Sequence, residues 1–155
     1  MNTPVQNVAD ALRALNATGE IREFTETVPT AAAAAEQLGC EVGAIANSLI
    51  FSADGRPLLV VTSGAHRVDT LAVAKLLGIR KVRRADPAFV LAATGQEVGG
   101  VAPIGHPHRV RTLVDTWLSK HEVVWAGAGD HNHMYPTTYE ELLRMTGGQA
   151  ADVGP

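Results

Sequence analysis

The stretch Ile45-Ala46-Asn47-Ser48-Leu49-Ile50-Phe51 is followed, after the dipeptide Asp54-Gly55, by Leu58-Leu59-Val60-Val61-Thr62. Both runs are rich in apolar and β-branched residues, and an Asp-Gly pair between such runs is typical of a hairpin turn. The two runs are therefore predicted to pair antiparallel. Because helices and strands alternate elsewhere, this hairpin favours a mixed α/β sheet with helices packed on it over a doubly wound parallel sheet.

Capping and periodicity signals predict the other elements. The expected helices are residues 4–15 with Thr3 as N-cap and Pro4 at the first position, 31–38 capped by Thr30, 68–77, 87–95 opened by Asp86-Pro87, and a last helix capped by Thr138 with Glu141 completing a capping box. Further strands are expected at 21–24, 80–84, 110–114 and 123–125. The Gly/Ala-rich residues 147–155 are expected to be frayed.

Composition predicts one domain over residues 1–155. The chain has 46% apolar residues, 19% charged residues and a net charge of -3, which allows a sizeable core and excludes a strongly basic nucleic-acid binder, though not a small local RNA contact. The single cysteine, Cys40, excludes an intrachain disulfide and a cysteine-based zinc cluster. Without an apolar run of ~18 residues or a signal-peptide pattern, we expect a cytoplasmic protein with no membrane span.

Two glycine-bearing segments predict ligand contacts. Gly99-Gly100-Val101-Ala102-Pro103-Ile104-Gly105 combines glycine and proline with apolar residues, as in a shaped loop whose backbone N–H groups approach an oxygen-rich group. Gly127-Ala128-Gly129-Asp130-His131-Asn132-His133 follows a predicted strand, a common place for binding residues. An ordinary reverse turn explains the second segment equally well when it is taken alone.

Histidines suggest a metal site, as a secondary hypothesis. His106 and His108, like His131 and His133, form His-x-His pairs that can chelate a metal from one face of a strand. Pro107 interrupts the first pair, and no carboxylate stands at a familiar ligand spacing, so polar loop histidines and no metal are expected. Covalent catalysis is not indicated either: there is no Gly-x-Ser-x-Gly motif, and Cys40 follows a predicted helix C-terminus, where a thiol pKa rises.

Two basic clusters have two interpretations that the sequence leaves open. They consist of Arg80, Lys81, Arg83 and Arg84, and of His108, Arg109 and Arg111. They are either solvated strand edges, where positive charge discourages edge pairing, or a rim that contacts the phosphates of a nucleic acid.

An ordered set of short motifs resembles one known family. The matching pieces are Thr30-Ala31-Ala32-Ala33-Ala34-Ala35-Glu36-Gln37-Leu38-Gly39, Ile45 to Phe51, Arg67-Val68-Asp69 with the following helix, Ala85-Asp86-Pro87, Thr94-Gly95, Gly99 to Gly105, and Thr112-Leu113-Val114-Asp115. Over roughly residues 20–146 the chain resembles the YbaK family of free-standing aminoacyl-tRNA deacylases, relatives of the editing domain inserted in bacterial prolyl-tRNA synthetases.

The resemblance implies a partly barrel-like mixed sheet and hydrolysis of the ester that joins a wrong, small amino acid to a tRNA. The implied catalytic residues are Asn47, Gly99, Gly100, Val101 and His131. The implied substrate-binding residues are Phe24, Ser48, Thr62, His66, Pro103, Gly105, Gly127, Gly129 and His133. No cofactor and no DNA are expected. Aminoacyl-tRNA is the expected partner, an aminoacyl-tRNA synthetase is allowed as a second one, and both a monomer and a homodimer remain open.

One position departs from the family pattern. Where the family usually carries lysine, this chain has Asn47, whose amide donates and accepts hydrogen bonds but carries no charge. Three outcomes follow: altered substrate preference with hydrolysis retained, which we expect; a replacement cation from His66, Arg67 or His131; or weakened catalysis. The alternative functions are a tRNA-binding module without activity and a histidine-dependent metallohydrolase.

Overall fold

One mixed sheet organises the molecule in the computed structural model, which describes residues 2–28 and 30–155. Its strands are β1 (Arg22–Glu23), β2 (Ile45–Ala53), β3 (Arg56–Ser63), β4 (Val82–Arg84), β5 (Arg111–Asp115), β6 (Val124–Gly127), β7 (His133–Thr137) and β8 (Gln149–Ala151). They lie in the order β1-β7-β6-β2-β3-β5-β8, and β4 pairs with β2. The pairs β2–β6, β3–β5 and β5–β8 are parallel, and the others are antiparallel. The predicted mixed sheet is confirmed.

The predicted hairpin is the centre of this sheet. β2 and β3 pair from Ala46 opposite Ser63 to Ala53 opposite Arg56. The turn residues Asp54 and Gly55 have φ of 50° and 88°, the left-handed backbone that a two-residue hairpin turn requires.

The outer edge of β2 is interrupted, and this interruption positions the site. At its start, Ile45 and Ala46 pair with β6. At its end, Phe51 to Ala53 pair with β4. Residues 47–50 have no strand partner on that side among residues 2–28 and 30–155. A gap in the sheet therefore opens beside Asn47 and Ser48.

In the described part of the chain, five α-helices pack on the sheet: α1 (Thr3–Ala14), α2 (Ala31–Leu38), α3 (Thr70–Leu77), α4 (Pro87–Thr94) and α5 (Tyr139–Thr146). The capping predictions for Thr30, Asp86 and Thr138 are confirmed. The prediction for Thr3 is wrong: Asn2 is the N-cap, and its side-chain oxygen accepts from the Val5 N–H at 3.0 Å. The predicted capping box is only half formed: the Glu141 N–H donates to the Thr138 hydroxyl at 3.0 Å, but the Glu141 carboxylate accepts from the Thr137 hydroxyl at 2.7 Å.

Alternating residues of the hairpin separate two parts of the core. Leu59 and Val61 pack with α1, α5 and the glycine loop on one face, in a cluster that includes Val8, Leu142 and Ala102. Leu58 and Val60 pack against α3 on the other face, with Val73 and Leu113. A third, smaller cluster joins α2 to Phe24, Ile45 and Met134.

Three expectations from the sequence are corrected here. Residues 147–155 are not simply frayed, because β8 pairs with β5 and Val153 is fully buried. β7 was not predicted, since Pro136 within it argues against a strand. α3 begins at Thr70, where the Asp69 side chain accepts from the N–H groups of Leu71 and Ala72, instead of at residue 68. Among the described residues, no helix combines the length and the apolar character needed to cross a bilayer.

Candidate functional site

A cavity of about 110 Å³ lies at the gap in the edge of β2. Four segments meet there: the first turn of α2, the first half of β2, the loop at 99–101 and the segment 127–134. The lining residues are Val28, Thr30, Ala31, Ala34, Ile45, Ala46, Asn47, Ser48, Gly99, Val101, Gly127, Asp130, His131, His133 and Met134. Two segments that the sequence singled out separately thus share one pocket.

The two glycine segments touch through their backbones. A β-carbon at position 99 would lie 2.7 Å from Cε1 of His131, and one at position 100 would lie 2.6 Å from Cα of Asp130. Such distances are shorter than van der Waals contact, so glycine is required for the segments to meet. Gly100 itself does not line the cavity, and packs behind it against Asp130.

The backbone amides of the loop are not equally available. The Gly100 N–H donates to Glu97 O at 3.0 Å, and the Ala102 N–H donates to the side chain of Gln96 at 2.7 Å. The N–H groups of Gly99 and Val101 make no hydrogen bond to the described part of the chain. The amides free to bind a ligand oxygen are therefore those of Gly99 and Val101, and not that of Gly100.

Gln96 is a supporting residue that the sequence analysis missed. Its side chain is 1% exposed. The amide oxygen accepts from Ala102, and the amide nitrogen donates to Ile104 O at 3.4 Å. Gln96 thus bridges the backbone of Ala102 and Ile104 within the glycine loop. A polar residue before a glycine-rich loop gives no sequence signal that it will be buried.

One wall of the cavity carries His133, whose ring contacts two carboxylates, of which that of Asp130 lines the cavity. His133 contacts Asp130 through Nδ1 at 2.7 Å and Glu23 through Nε2 at 3.1 Å. Burial opposes ionisation of Asp130, but hydrogen bonds from His133, the Asn132 N–H and the Asn2 amide outweigh it and lower the pKa of Asp130 below its usual value. Asp130 is therefore an anion on the cavity wall.

The opposite wall carries neutral polar groups from β2. Asn47 is exposed and lines the cavity. Ser48 is 8% exposed, and its hydroxyl has no hydrogen-bond partner among the described residues. A buried hydroxyl without a partner is costly, and a ligand in the cavity can satisfy it.

Several predicted site residues lie elsewhere. Thr62 and His66 surround the fully buried Asp115: both side chains bond its carboxylate, and His66 stacks on Trp117. Thr62 lies opposite Asn47 in the β2–β3 ladder, but is buried in this cluster instead of facing the cavity.

Other predicted positions support the cavity from outside. Gly129 packs against the backbone of Pro4, and Phe24 belongs to the small core cluster beside Met134. Pro103 and Gly105 line a separate depression between α1 and α5. Of the three cations proposed to replace the family lysine, His66, Arg67 and His131, only His131 lines the cavity.

The basic residues border other parts of the surface. Lys81, Arg83 and Arg84 line a depression beside the hairpin turn, while Arg109 and Arg111 line another beside Gly147. Arg84, Phe51, Leu58 and Arg111 follow one another in register across β4, β2, β3 and β5, so Arg84 and Arg111 mark the same end of the sheet. Within the described ranges, none of the six predicted tRNA-contact side chains forms an ion pair with a carboxylate.

The histidines of the two predicted His-x-His pairs lie in different parts of the structure. Within residues 2–28 and 30–155, no three His, Cys, Asp or Glu side chains are arranged to hold a metal ion. The pair His131 and His133 lines the cavity, whereas His106 lies at the depression between α1 and α5, where its Nε2 contacts Ala102 O at 2.8 Å.

Comparison with known proteins gives one consistent result. The model of the aminoacyl-tRNA editing domain matches residues 25–145. The protein YwhH of Bacillus subtilis (strain 168), which is uncharacterized, is 32% identical over 132 residues, covering 84% of this chain and 83% of that protein. The proline–tRNA ligase of Bacillus licheniformis is 31% identical over 117 residues, which cover 75% of this chain but only 20% of the ligase.

Solved structures agree with the sequence relatives. A candidate trans-editing enzyme for prolyl-tRNA synthetase has a TM-score of 0.92 and 32% identity, with 100% of this chain and 99% of that chain aligned. The hypothetical protein APE2540 has a TM-score of 0.89 and 30% identity over 96% of this chain.

Proposed function

This chain belongs to the aminoacyl-tRNA editing domain family, and we propose that it is a deacylase that hydrolyses a mischarged aminoacyl-tRNA in trans. The observation that carries the proposal is the pair of unused backbone amides, Gly99 and Val101, in the wall of a cavity that also holds the Asp130 carboxylate. Full-length similarity to a candidate trans-editing enzyme supports action on a separate tRNA.

The reaction needs no nucleophile from the protein, but it requires that the protein position the ester and a water molecule. A water oxygen attacks the ester carbonyl carbon, and the amides of Gly99 and Val101 donate to the carbonyl oxygen as negative charge develops on it. The bond to the ribose oxygen then breaks. The proton lost by the water reaches that oxygen, with the neighbouring ribose hydroxyl as a relay. The products are the free amino acid and the deacylated tRNA.

Cavity size and charge favour a small aminoacyl group with a free α-ammonium. A cavity of ~150 Å³ holds benzene, whereas this one measures about 110 Å³, so a side chain smaller than phenyl fits. The Asp130 carboxylate supplies a counter-charge for the ammonium. Small residues of α2, Ala31 and Ala34, contribute to the wall on the other side.

Asn47 is proposed to set substrate preference. Its position on the cavity wall is the one where the family usually has lysine, and its neutral amide hydrogen-bonds the ribose or the acyl carbonyl instead of presenting a cation. Hydrolysis is retained in this proposal because the oxyanion donors are main-chain groups that the Asn47 side chain does not replace.

A panel of mischarged tRNAs tests the proposal, with release of each amino acid as the measurement. Wild-type protein is expected to deacylate those that carry small amino acids. Failure to release any amino acid, together with measurable tRNA binding, would instead establish the non-catalytic binding module.

Asp130→Asn tests the proposed ammonium contact. This variant is expected to slow hydrolysis of aminoacyl-tRNA but not of the matched α-hydroxyacyl-tRNA, which lacks the ammonium. Asp152→Asn is the matched control, because Asp152 is exposed and lines none of the cavities described above. Equal losses on both substrates would assign Asp130 a purely structural role.

A further inference from the structure

A second depression continues along the gap in the edge of β2. It has a volume of about 90 Å³ and shares Ser48, Gly99 and Val101 with the proposed acyl cavity. The two depressions are thus joined at the point where the unpartnered Ser48 hydroxyl and the free amides lie.

The chemistry of the second depression differs from that of the first. Its walls are apolar, from Leu49 and Ile50 on β2, Val90 on α4 and Val98 in the following loop. Val98 is 52% exposed, so its side chain is accessible to a ligand in this depression. Arg84 is the single charged residue among the described residues that line it.

A third depression begins where the second ends. Arg84 and Ala85 line both, and the third adds Lys81 and Arg83. The carboxylates of Asp54 and Asp86 also line it, but both accept hydrogen bonds from backbone N–H groups, and the three cations outnumber them. The surface therefore runs from a small polar cavity, through an apolar slot, to a basic rim. Each part shares residues with the next.

We propose that the apolar slot binds the terminal adenine base of the tRNA, and that the basic rim binds the phosphodiester that follows it. This inference rests on the proposed function, since it assigns the acyl group to the first cavity. The order of the three depressions matches the covalent order of an aminoacyl-tRNA end: acyl group, terminal nucleoside, phosphate. A base has an apolar π-face, and an arginine guanidinium stacks on such faces.

An extended amino-acid side chain is the competing occupant of the slot. The positive charge of Arg84 would repel a cationic amino-acid side chain in the slot. The residues that line both depressions argue against an amino-acid side chain of any kind. Ser48, Gly99 and Val101 lie at the junction of the two depressions, so an ester held there directs its acyl part to one side and its ribose to the other.

The test uses probes that require no hydrolysis. The trinucleotide CCA with a free 3′-hydroxyl is titrated into the full chain by calorimetry, beside the same trinucleotide lacking the terminal base. Val98→Asp places a carboxylate in the slot. Its charge is expected to disfavour binding of the apolar face of the base and to repel the nearby phosphate. Val123→Asp is the matched control, because Val123 is 47% exposed and lines none of the depressions described above.

Wild-type protein is expected to bind CCA at least about tenfold more tightly than the abasic probe, with Val98→Asp removing this difference and Val123→Asp preserving it. Equal affinity for both probes, or a Val98→Asp variant that keeps the difference, overturns the inference. A Val98→Asp variant that keeps CCA affinity but changes which amino acids are released would assign the slot to the acyl group.

The proposed deacylase activity and the proposed base-binding slot can be disproved independently of each other. Protein that deacylates tRNA without any base-dependent affinity overturns this inference alone. Protein that binds CCA through Val98 yet hydrolyses no ester upholds the slot and removes the proposed activity.

Discussion

The imidazole of His131 lies directly on the backbone of Gly99, so close that a β-carbon at position 99 would be 2.7 Å from its Cε1. Gly99 also has a φ of 90°, which disfavours any other residue. The contact joins the loop that offers the free amides to the segment that offers Asp130. The geometry of the cavity therefore depends on glycine at this position.

We expect Gly99→Ala to lower both stability and deacylation. Gly78→Ala is the control, because Gly78 has a similar left-handed φ of 65° but open space where the β-carbon would lie. Left-handed backbone alone costs about 1–2 kcal/mol, so the additional loss in Gly99→Ala, measured by urea unfolding, reports the contact with His131. Equal losses in the two variants would show that His131 moves aside freely.

The structure changes the expected effect of Gly100→Val from a loss of activity alone to a loss of stability. From the sequence, a branched side chain at position 100 blocks the approach of the ester and leaves the fold largely intact. In the structure, a β-carbon there meets the backbone of Asp130 at 2.6 Å. We expect overpacking to cost about 1–3 kcal/mol and to separate the two segments. Thermal unfolding of Gly100→Val with an unchanged midpoint would contradict this.

Asn47 is expected to contribute modestly to the rate of deacylation and strongly to the preference among mischarged tRNAs. Removing a neutral hydrogen bond costs about 0.5–1.5 kcal/mol, or up to roughly tenfold in rate, so Asn47→Ala should slow deacylation by no more than that. Asn47→Lys should change the ranking among mischarged tRNAs instead of raising all rates. Asn7→Ala, an exposed asparagine on α1, is the control. Identical profiles for all four proteins would place Asn47 outside the working site.

Local signals in the sequence were sufficient for much of the fold. The Asp54-Gly55 turn, the caps Thr30, Asp86 and Thr138, and the glycines that follow α2 to α5 each act within a few residues. β8 was missed because its pairing with β5 is long-range and its residues, Gln149–Ala151, have little strand preference.

The sequence predicted which segments form the site, but not which of their side chains and backbone amides face the cavity. Which face of a strand meets a cavity depends on neighbours far away in sequence. Thr62 lies directly opposite Asn47 on the same face of the sheet, but β3 is one strand further from the open edge of β2, and Thr62 is buried beside Asp115 with His66. The Gly100 N–H donates to Glu97 O instead of facing a ligand. No spacing rule in the sequence encodes these partners.

The basic rim is expected to control the salt dependence of tRNA binding. Arg83→Ala with Arg84→Ala should lower the slope of log affinity against log salt by about 1 per lost phosphate contact. Lys75→Ala is the control, since Lys75 is exposed on α3 and lines neither the slot nor the basic depression. An unchanged slope in the double variant would leave these arginines as a solvated strand edge.

Chelation is expected to leave deacylation unchanged. The proposed oxyanion donors are backbone amides, and both ring nitrogens of His133 already contact carboxylates, those of Asp130 and Glu23. The measurement is the rate after prolonged treatment with a chelator and gel filtration. Loss of activity that zinc restores would establish the metallohydrolase instead.

His106 is expected to make stability depend on pH. Burial lowers the pKa of His106, and the neutral ring donates from Nε2 to Ala102 O at 2.8 Å. In the unfolded chain the group titrates near its ordinary value of about 6.5. As pH falls through that value, the unfolded state binds a proton before the folded state does, so the free energy of unfolding decreases. This contribution is complete above about pH 7 and declines toward the lower folded pKa.

Urea unfolding between about pH 5 and pH 8 measures the effect. His106→Gln keeps a donor near Ala102 but does not titrate, so its free energy of unfolding should fall less steeply with acid than that of the wild type. His108→Gln is the matched control, because His108 is exposed two residues away. If His106→Gln and the wild type lose stability in parallel, folding does not shift the pKa of His106, and the prediction is wrong.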